Sequence, residues 1–168
     1  MTWRGQTNLR DRIFACLVYV LPLMEAYMQY GSAFFSQFPA LEVLMLPLAP
    51  FLFVYVALLG AFPFGLGGLV VFIALIALVV RNERIRHFIR FNTMQAILIG
   101  IALSIFGLLL DLVITPAPAL RGSIFALTIA NVLFLGTVAL AGYAIVQSAR
   151  GRYAEIPTLS EAVYTQVR

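Results

Sequence analysis

Arg81 to Ile101 reads RNERIRHFIRFNTMQAILIGI, a run that sets four arginines, the single histidine of the chain and the amides Asn92 and Gln95 between long apolar segments. Projected at 3.6 residues per turn, Ile85, Phe88 and Ile89 fall on one side and Glu83, Arg86, His87 and Arg90 on the other. The spacing predicts a short amphipathic surface helix over 81–91. Its basic face, Arg81, Arg84, Arg86 and Arg90, would meet anionic lipid headgroups or an acidic partner. Asn92 followed three residues later by Gln95 resembles a capping arrangement that would start the next helix near Thr93. The alternative is an amide pair at a membrane entrance.

The surrounding chain explains why these cations decide the fold. Of 168 residues, 62% are hydrophobic and only 11% charged, too few polar side chains to coat a soluble globule. The expected class is an all-α integral membrane protein built as one domain. Apolar segments occur at 13–30, 42–60, 66–80, 93–115 and 123–148. Each approaches the roughly 20 residues that a bilayer core asks for. If all five cross, the Arg81–Arg90 cluster falls on the side opposite Arg4, Arg10 and Arg12, and so do Arg150 and Arg152. If one segment before Arg81 does not cross, these nine arginines share the cytoplasmic side and Arg121 lies across from them.

The segment expected not to cross is 42–60, where Pro47 and Pro50 each remove a backbone donor. The reading is therefore four transmembrane helices, at 13–30, 66–80, 93–115 and 123–148. To these it adds one proline-containing interfacial or re-entrant helix, the surface segment 81–91 and a cytoplasmic tail from 150 to 168. In that tail Thr158 and Glu161 have the spacing of a capping box, which predicts a short helix to about Val167. Pro116 and Pro118 stop the third crossing, and Ser123 is placed to cap the fourth.

Polar residues at membrane depth are the candidates for function, because a charge left in lipid is costly. Glu25, beyond a kink expected at Pro22, reads as an acid in a water-filled cavity or as a hydrogen-bonded interfacial residue. Asp111 is nearer its helix end, and Asn131 reads as an interhelical contact. Ala96, Gly100, Ser104 and Gly107 form one small face, answered on the next helix by Ala126, Ala130, Thr137 and Ala141. That face serves packing, within the hairpin or between protomers, or it lines a pore.

With one cysteine, Cys16, and one histidine, neither a metal centre nor a cofactor is expected, and no constellation of serine, histidine and acid suggests an enzyme. The eleven basic residues, all arginines, sit at segment ends without an aromatic-studded stripe, so nucleic acid is not an expected partner. The amino terminus, MTWRGQTNLRDR, reads as mature, without a cleavable apolar leader or a long serine- and arginine-rich one, as in a bacterial or organelle-encoded product.

The runs VVRNERIRHFIRFNTMQAIL and LGAFPFGLGGLVVFIAL and the tail GRYAEIPTLSEAVYTQVR resemble the Tic-twenty family, the twenty-kilodalton membrane subunit of the chloroplast inner-envelope translocon, and especially its cyanobacterial relatives. The resemblance covers nearly the whole chain from about Tyr19. It implies four crossings with both termini cytoplasmic or stromal, in a cyanobacterial plasma or thylakoid membrane or a plastid inner envelope. It also implies a role in a protein-translocation or channel-type assembly with other membrane subunits or further copies of itself. Glu25 falls where relatives carry an acid after a proline, and Asn131 matches a recurrent asparagine. Gly100 departs from the family, which commonly has an acid there. Glu25, Asn92, Gln95 and Asn131 are thus the candidates for a polar path. A structural subunit beside photosynthetic complexes is the alternative reading. A small-solute transporter ranks below it, because the chain lacks internal repeats and paired broken helices.

Overall fold

A computed structural model describes residues 7–167 and, among them, contains helices and no strand. Arg4 and the last residue, Arg168, lie outside the described residues. The elements are α1 (Leu9–Phe35), α2 (Pro39–Gly60), α3 (Gly67–Val80), α4 (His87–Ile114), α5 (Ile124–Ala149) and α6 (Leu159–Gln166). By length and composition α1, α2, α4 and α5 suffice to cross a membrane, and α3 is shorter. The chain is an all-α membrane protein.

Helix α1 starts with a reciprocal cap: the Asp11 amide donates to Asn8 Oδ1 at 2.8 Å, and Asp11 Oδ2 accepts from the Asn8 amide at 2.9 Å. Its regular geometry breaks at Val18 and Tyr19, one turn before Pro22. Pro22 has no N–H to offer the Val18 carbonyl, which instead accepts from the Leu21 amide at 3.3 Å. Across the bend, Tyr19 points into the centre of the bundle.

Helices α1, α4 and α5 make the core. Near the end where α1 starts and α6 lies, Tyr19 packs with Ala96, Ile99, Ala141 and Ala144; toward the other end, Tyr30, Phe34 and Phe35 pack with Leu103, Ala130 and Phe134. The small face expected on α5 is buried, with Ala126, Ala130, Thr137 and Ala141 all turned inward. Ser123 caps this helix as expected, its Oγ accepting from the Ala126 amide at 3.3 Å.

Outside this core lie α2 and α3. Pro39–Leu48 of α2 is a 3-10 helix with Pro47 inside it, and Ala49–Gly60 is α-helical. Tyr55 is its one buried residue. A tight corner follows, with Phe64 and Gly65 at positive φ (59° and 71°), and α3 begins with Gly67 against the backbone of Leu59. Gly68 and Leu69 share a hollow with Ser104, Ile105 and Leu108 of α4. At its other end the Val80 carbonyl accepts from Arg90 Nε at 2.7 Å. Thus α3 runs antiparallel to α4 and starts beyond its midpoint.

Three local expectations are corrected. Residues 81–86 form turns rather than an amphipathic helix, and α4 begins at His87, six residues before Thr93. Asn92 is therefore inside α4 and caps nothing; its Nδ2 donates one turn back to the Phe88 carbonyl at 2.7 Å. In the tail, α6 is present, but Thr158 makes no side-chain cap and has φ 68°. Ser160 instead ties α6 back to the preceding segment, its Oγ accepting from the Ile156 amide at 2.8 Å.

Candidate functional site

Two polar constellations stand out, and they differ in kind. The first is sealed. The Tyr19 hydroxyl lies 2.8 Å from Asn92 Oδ1 and 2.9 Å from Gln95 Oε1, and its single proton serves one oxygen at a time. Ser148 Oγ donates to Asn92 Oδ1 at 2.9 Å, and Gln95 Nε2 donates to the Ala154 carbonyl at 2.9 Å. None of these four side-chain-bearing residues has exposed surface. The cluster pins α1, α4, α5 and the tail together. Asn92 and Gln95 stand three apart on one helix face, which the sequence shows; Tyr19 and Ser148 lie too far along the chain for spacing to pair them with it.

The tail closes over this cluster. His87 Nε2 donates to the Val167 carbonyl at 3.2 Å, and Nδ1 lies 3.0 Å from the Tyr153 hydroxyl. Tyr153 packs edge-on against Phe88 and Phe91, and Phe91 lies against Tyr164. His87 is thus a tail anchor rather than part of a solvated face.

The expected basic face divides. Arg81 and Arg84 are exposed. Arg86 reaches the buried Asp11 at 2.6 Å and joins the turn to the start of α1. Arg90 is buried and satisfies the end of α3. The correction has a simple cause: the Val80 carbonyl at the end of α3 needs a donor and the buried Asp11 carboxylate needs a cation, and these two arginines are in reach.

The second constellation is open. Glu25 Oε1 accepts from the Tyr55 hydroxyl at 3.0 Å, which ties α1 to α2. Its Oε2 lies 2.7 Å from where a β-carbon on Gly100 would stand, so the missing side chain makes room for the carboxylate. Similarly, a β-carbon on Gly107 would meet the Tyr30 hydroxyl at 2.6 Å and Gln29 Oε1 at 3.2 Å. The small face of α4 therefore meets α1, not its hairpin partner α5. Ala96 is buried and Ser104 exposed.

Glu25, Gly100 and Ser104 line a groove of about 600 Å³ walled by α1, α3 and α4, whose other surfaces are chiefly aliphatic. From Ser104 and Leu108 a second hollow of about 380 Å³ continues past Gln29 and Tyr30 to Asp111. Together they form a polar track down one flank of α4. A third, apolar hollow of about 580 Å³ lies between α1 and α2, and Tyr55 lines it. Asn131 belongs to neither constellation, and its Oδ1 is buried with no hydrogen-bond partner among the described residues. Nor do three His, Cys, Asp or Glu side chains converge among those residues as metal ligands would.

Comparison with known proteins follows the same lines. Residues 6–163 match the family model described as chloroplast import apparatus Tic20-like. The chain is similar to a Tic20 family protein of Synechocystis sp., 48% identical across 95% of this chain and 94% of that one. It is also similar to the Tic20 family protein Ycf60 of Porphyra purpurea, 32% identical over 99% of this chain and 80% of the relative. A third relative is the Arabidopsis thaliana chloroplastic protein TIC 20-v, 31% identical over 94% and 71%.

Proposed function

Because the chain belongs to the Tic20-like family of the chloroplast import apparatus, we propose that it is a membrane subunit of a protein-translocation assembly and that a translocating polypeptide meets it at the Glu25 groove. The observation that carries this reading is the polar track from Glu25 through Ser104 and Gln29 to Asp111 along one flank of α4. Apolar packing alone has no use for such groups. Of the four candidates for a polar path, Glu25 is the one on an open surface. Asn92 and Gln95 act through the sealed cluster, holding the tail over the end of the bundle. A photo-crosslinker at Ser104 or Gln29 is expected to capture a polypeptide during transport. One at Gln95 is expected to capture only the chain's own tail. If the Ser104 and Gln29 probes bring down neighbouring membrane subunits alone while transport is active, the subunit is an assembly partner instead. The outward Gly136 and Gly142 of α5, where an added β-carbon meets nothing within 4 Å, suit that alternative.

In this reading α1, α3, α4 and α5 cross and α2 returns to the side from which it entered. Two contacts support the assignment. Asp11 and Arg86 put the starts of α1 and α4 at one end, so only one of α2 and α3 crosses between them. The start of α3 shares its hollow with the later half of α4, and its end reaches Arg90. The arginine end then faces cytoplasm or stroma, with exposed Arg81 and Arg84 toward anionic headgroups. Single cysteines in a Cys16→Ala chain test this. A label at Phe64, which is 95% exposed in the α2–α3 corner, is expected on the same side as one at Ala119 and opposite one at Glu83. Phe64 and Glu83 labelled from the same side would mean that α2 crosses.

A further inference from the structure

We infer that the Glu25 groove receives a transmembrane helix of another polypeptide, one that carries a hydrogen-bond donor at mid-bilayer depth, and that Glu25 Oε2 accepts from that donor. The inference rests on the translocation reading and names the form in which a polypeptide occupies the site.

Depth comes first. Gly100, the residue against Oε2, lies thirteen residues after His87 and fourteen before Ile114, at the middle of α4. At the helical rise of 1.5 Å per residue that is roughly 20 Å from either end. Tyr55 satisfies Oε1, while Oε2 has no donor among the described residues and borders the groove. An unpaired carboxylate oxygen in hydrocarbon is costly, so the groove is built around an acceptor that awaits a partner. Lipid cannot supply one at this depth. Headgroup donors stay at the interface, and acyl chains carry none.

The form of the guest follows from the walls. Around Glu25 the groove presents Leu21, Val71, Phe72, Ile97 and Ile101, side chains on helices whose own backbones are internally bonded. An extended guest would bring one unpaired N–H and one unpaired C=O per residue against these walls, and one carboxylate oxygen cannot answer them. A helix satisfies its own backbone and is the form that tolerates such surroundings. Gly68 and Ser104 leave room for its backbone to come close. The single unmet acceptor then selects a helix with one donor at the matching height.

Three synthetic leucine-rich helices test this against the full chain in nanodiscs: one with asparagine at its centre, one with asparagine a turn from its end, and one without. Association read by fluorescence transfer is expected to be roughly three- to thirty-fold tighter for the central asparagine, the range that interhelical polar contacts give. Glu25→Ala is expected to erase that preference. Ser104→Leu, at an exposed groove position away from the Tyr55 bond, is expected to weaken all three helices and keeps the test decisive should the Glu25 variant fail to accumulate. Equal binding of the three helices, or a preference that survives Glu25→Ala, would overturn the proposal. Capture of a translocating chain at Ser104 without any preference for the central asparagine would leave translocation standing and remove the helix slot. The reverse pattern would keep the slot and remove translocation.

Discussion

Replacing Asn92 with leucine is expected to destabilise the protein by roughly 2–5 kcal/mol, because it strands the buried Ser148 hydroxyl, at about 1–3 kcal/mol, and overpacks a sealed site, at about 1–3 kcal/mol more. Tyr19 keeps Gln95 Oε1 as an acceptor, but Ser148 loses the only side-chain acceptor it has at 2.9 Å, and the new methyl groups crowd both. The leucine also arrives in a site with no exposed surface, so nothing relaxes into solvent. Ser148→Ala removes one donor and leaves Asn92 Oδ1 to Tyr19, so its cost should be near 1 kcal/mol. The native Cys16, whose thiol lies 3.5 Å from the Ile145 carbonyl between α1 and α5, is a built-in reporter. Its reaction with a fluorogenic maleimide on heating gives the order of stabilities: wild type, then Ser148→Ala, then Asn92→Leu. A leucine variant as stable as the wild type would mean that the amide cluster does not hold the bundle.

Gly67→Val is the second large effect. Any β-carbon at Gly67 would strike the Leu59 backbone, coming against its carbonyl oxygen and within 2.5 Å of its Cα. Backbone cannot rotate away as a side-chain tip does, so α3 must part from α2. The expected cost is about 3 kcal/mol, at the upper end for overpacking. Gly60 is the control: a β-carbon there meets nothing within 4 Å, and alanine removes the entropy that a helical glycine loses. Gly60→Ala should be neutral or stabilising by up to ~1 kcal/mol. Protease cutting within 61–66 should rise sharply in the valine variant and stay at the wild-type rate in the alanine one.

The sequence makes the fold class legible through residues that act alone. Apolar run length gives the helices, Ser123 gives a cap, and the Pro22 lesion sits one turn upstream of the proline as backbone chemistry requires. Pairings between distant residues are less legible. Periodicity over 81–91 is real, yet Arg86 and Arg90 are drawn to Asp11 and Val80, and the segment turns instead of winding. Glu25 is visible as an acid in an apolar run, but its height opposite Gly100 and its bond to Tyr55 depend on how α1, α2 and α4 lean together. Thr158 illustrates the limit of a motif: the spacing to Glu161 suits a box, and a positive φ at Thr158 removes it.

The tail contacts also set an order of events during synthesis. Asn92 and Gln95 enter the membrane with α4, while Ser148, Tyr153, Ala154 and Val167, the groups that complete their cluster or bind His87, are synthesised 56 or more residues after the side chains they meet. Until those groups emerge, the inserted α4 has only the Tyr19 hydroxyl to offer the two amide oxygens, and Gln95 Nε2 waits for the Ala154 carbonyl. Closure of the bundle therefore follows the insertion of α4 and α5. A chain cut short near Arg150 would keep α1 to α5 yet present Gln95 Nε2 without the Ala154 carbonyl, a mark by which a quality-control protease would tell it from the chain that carries the tail.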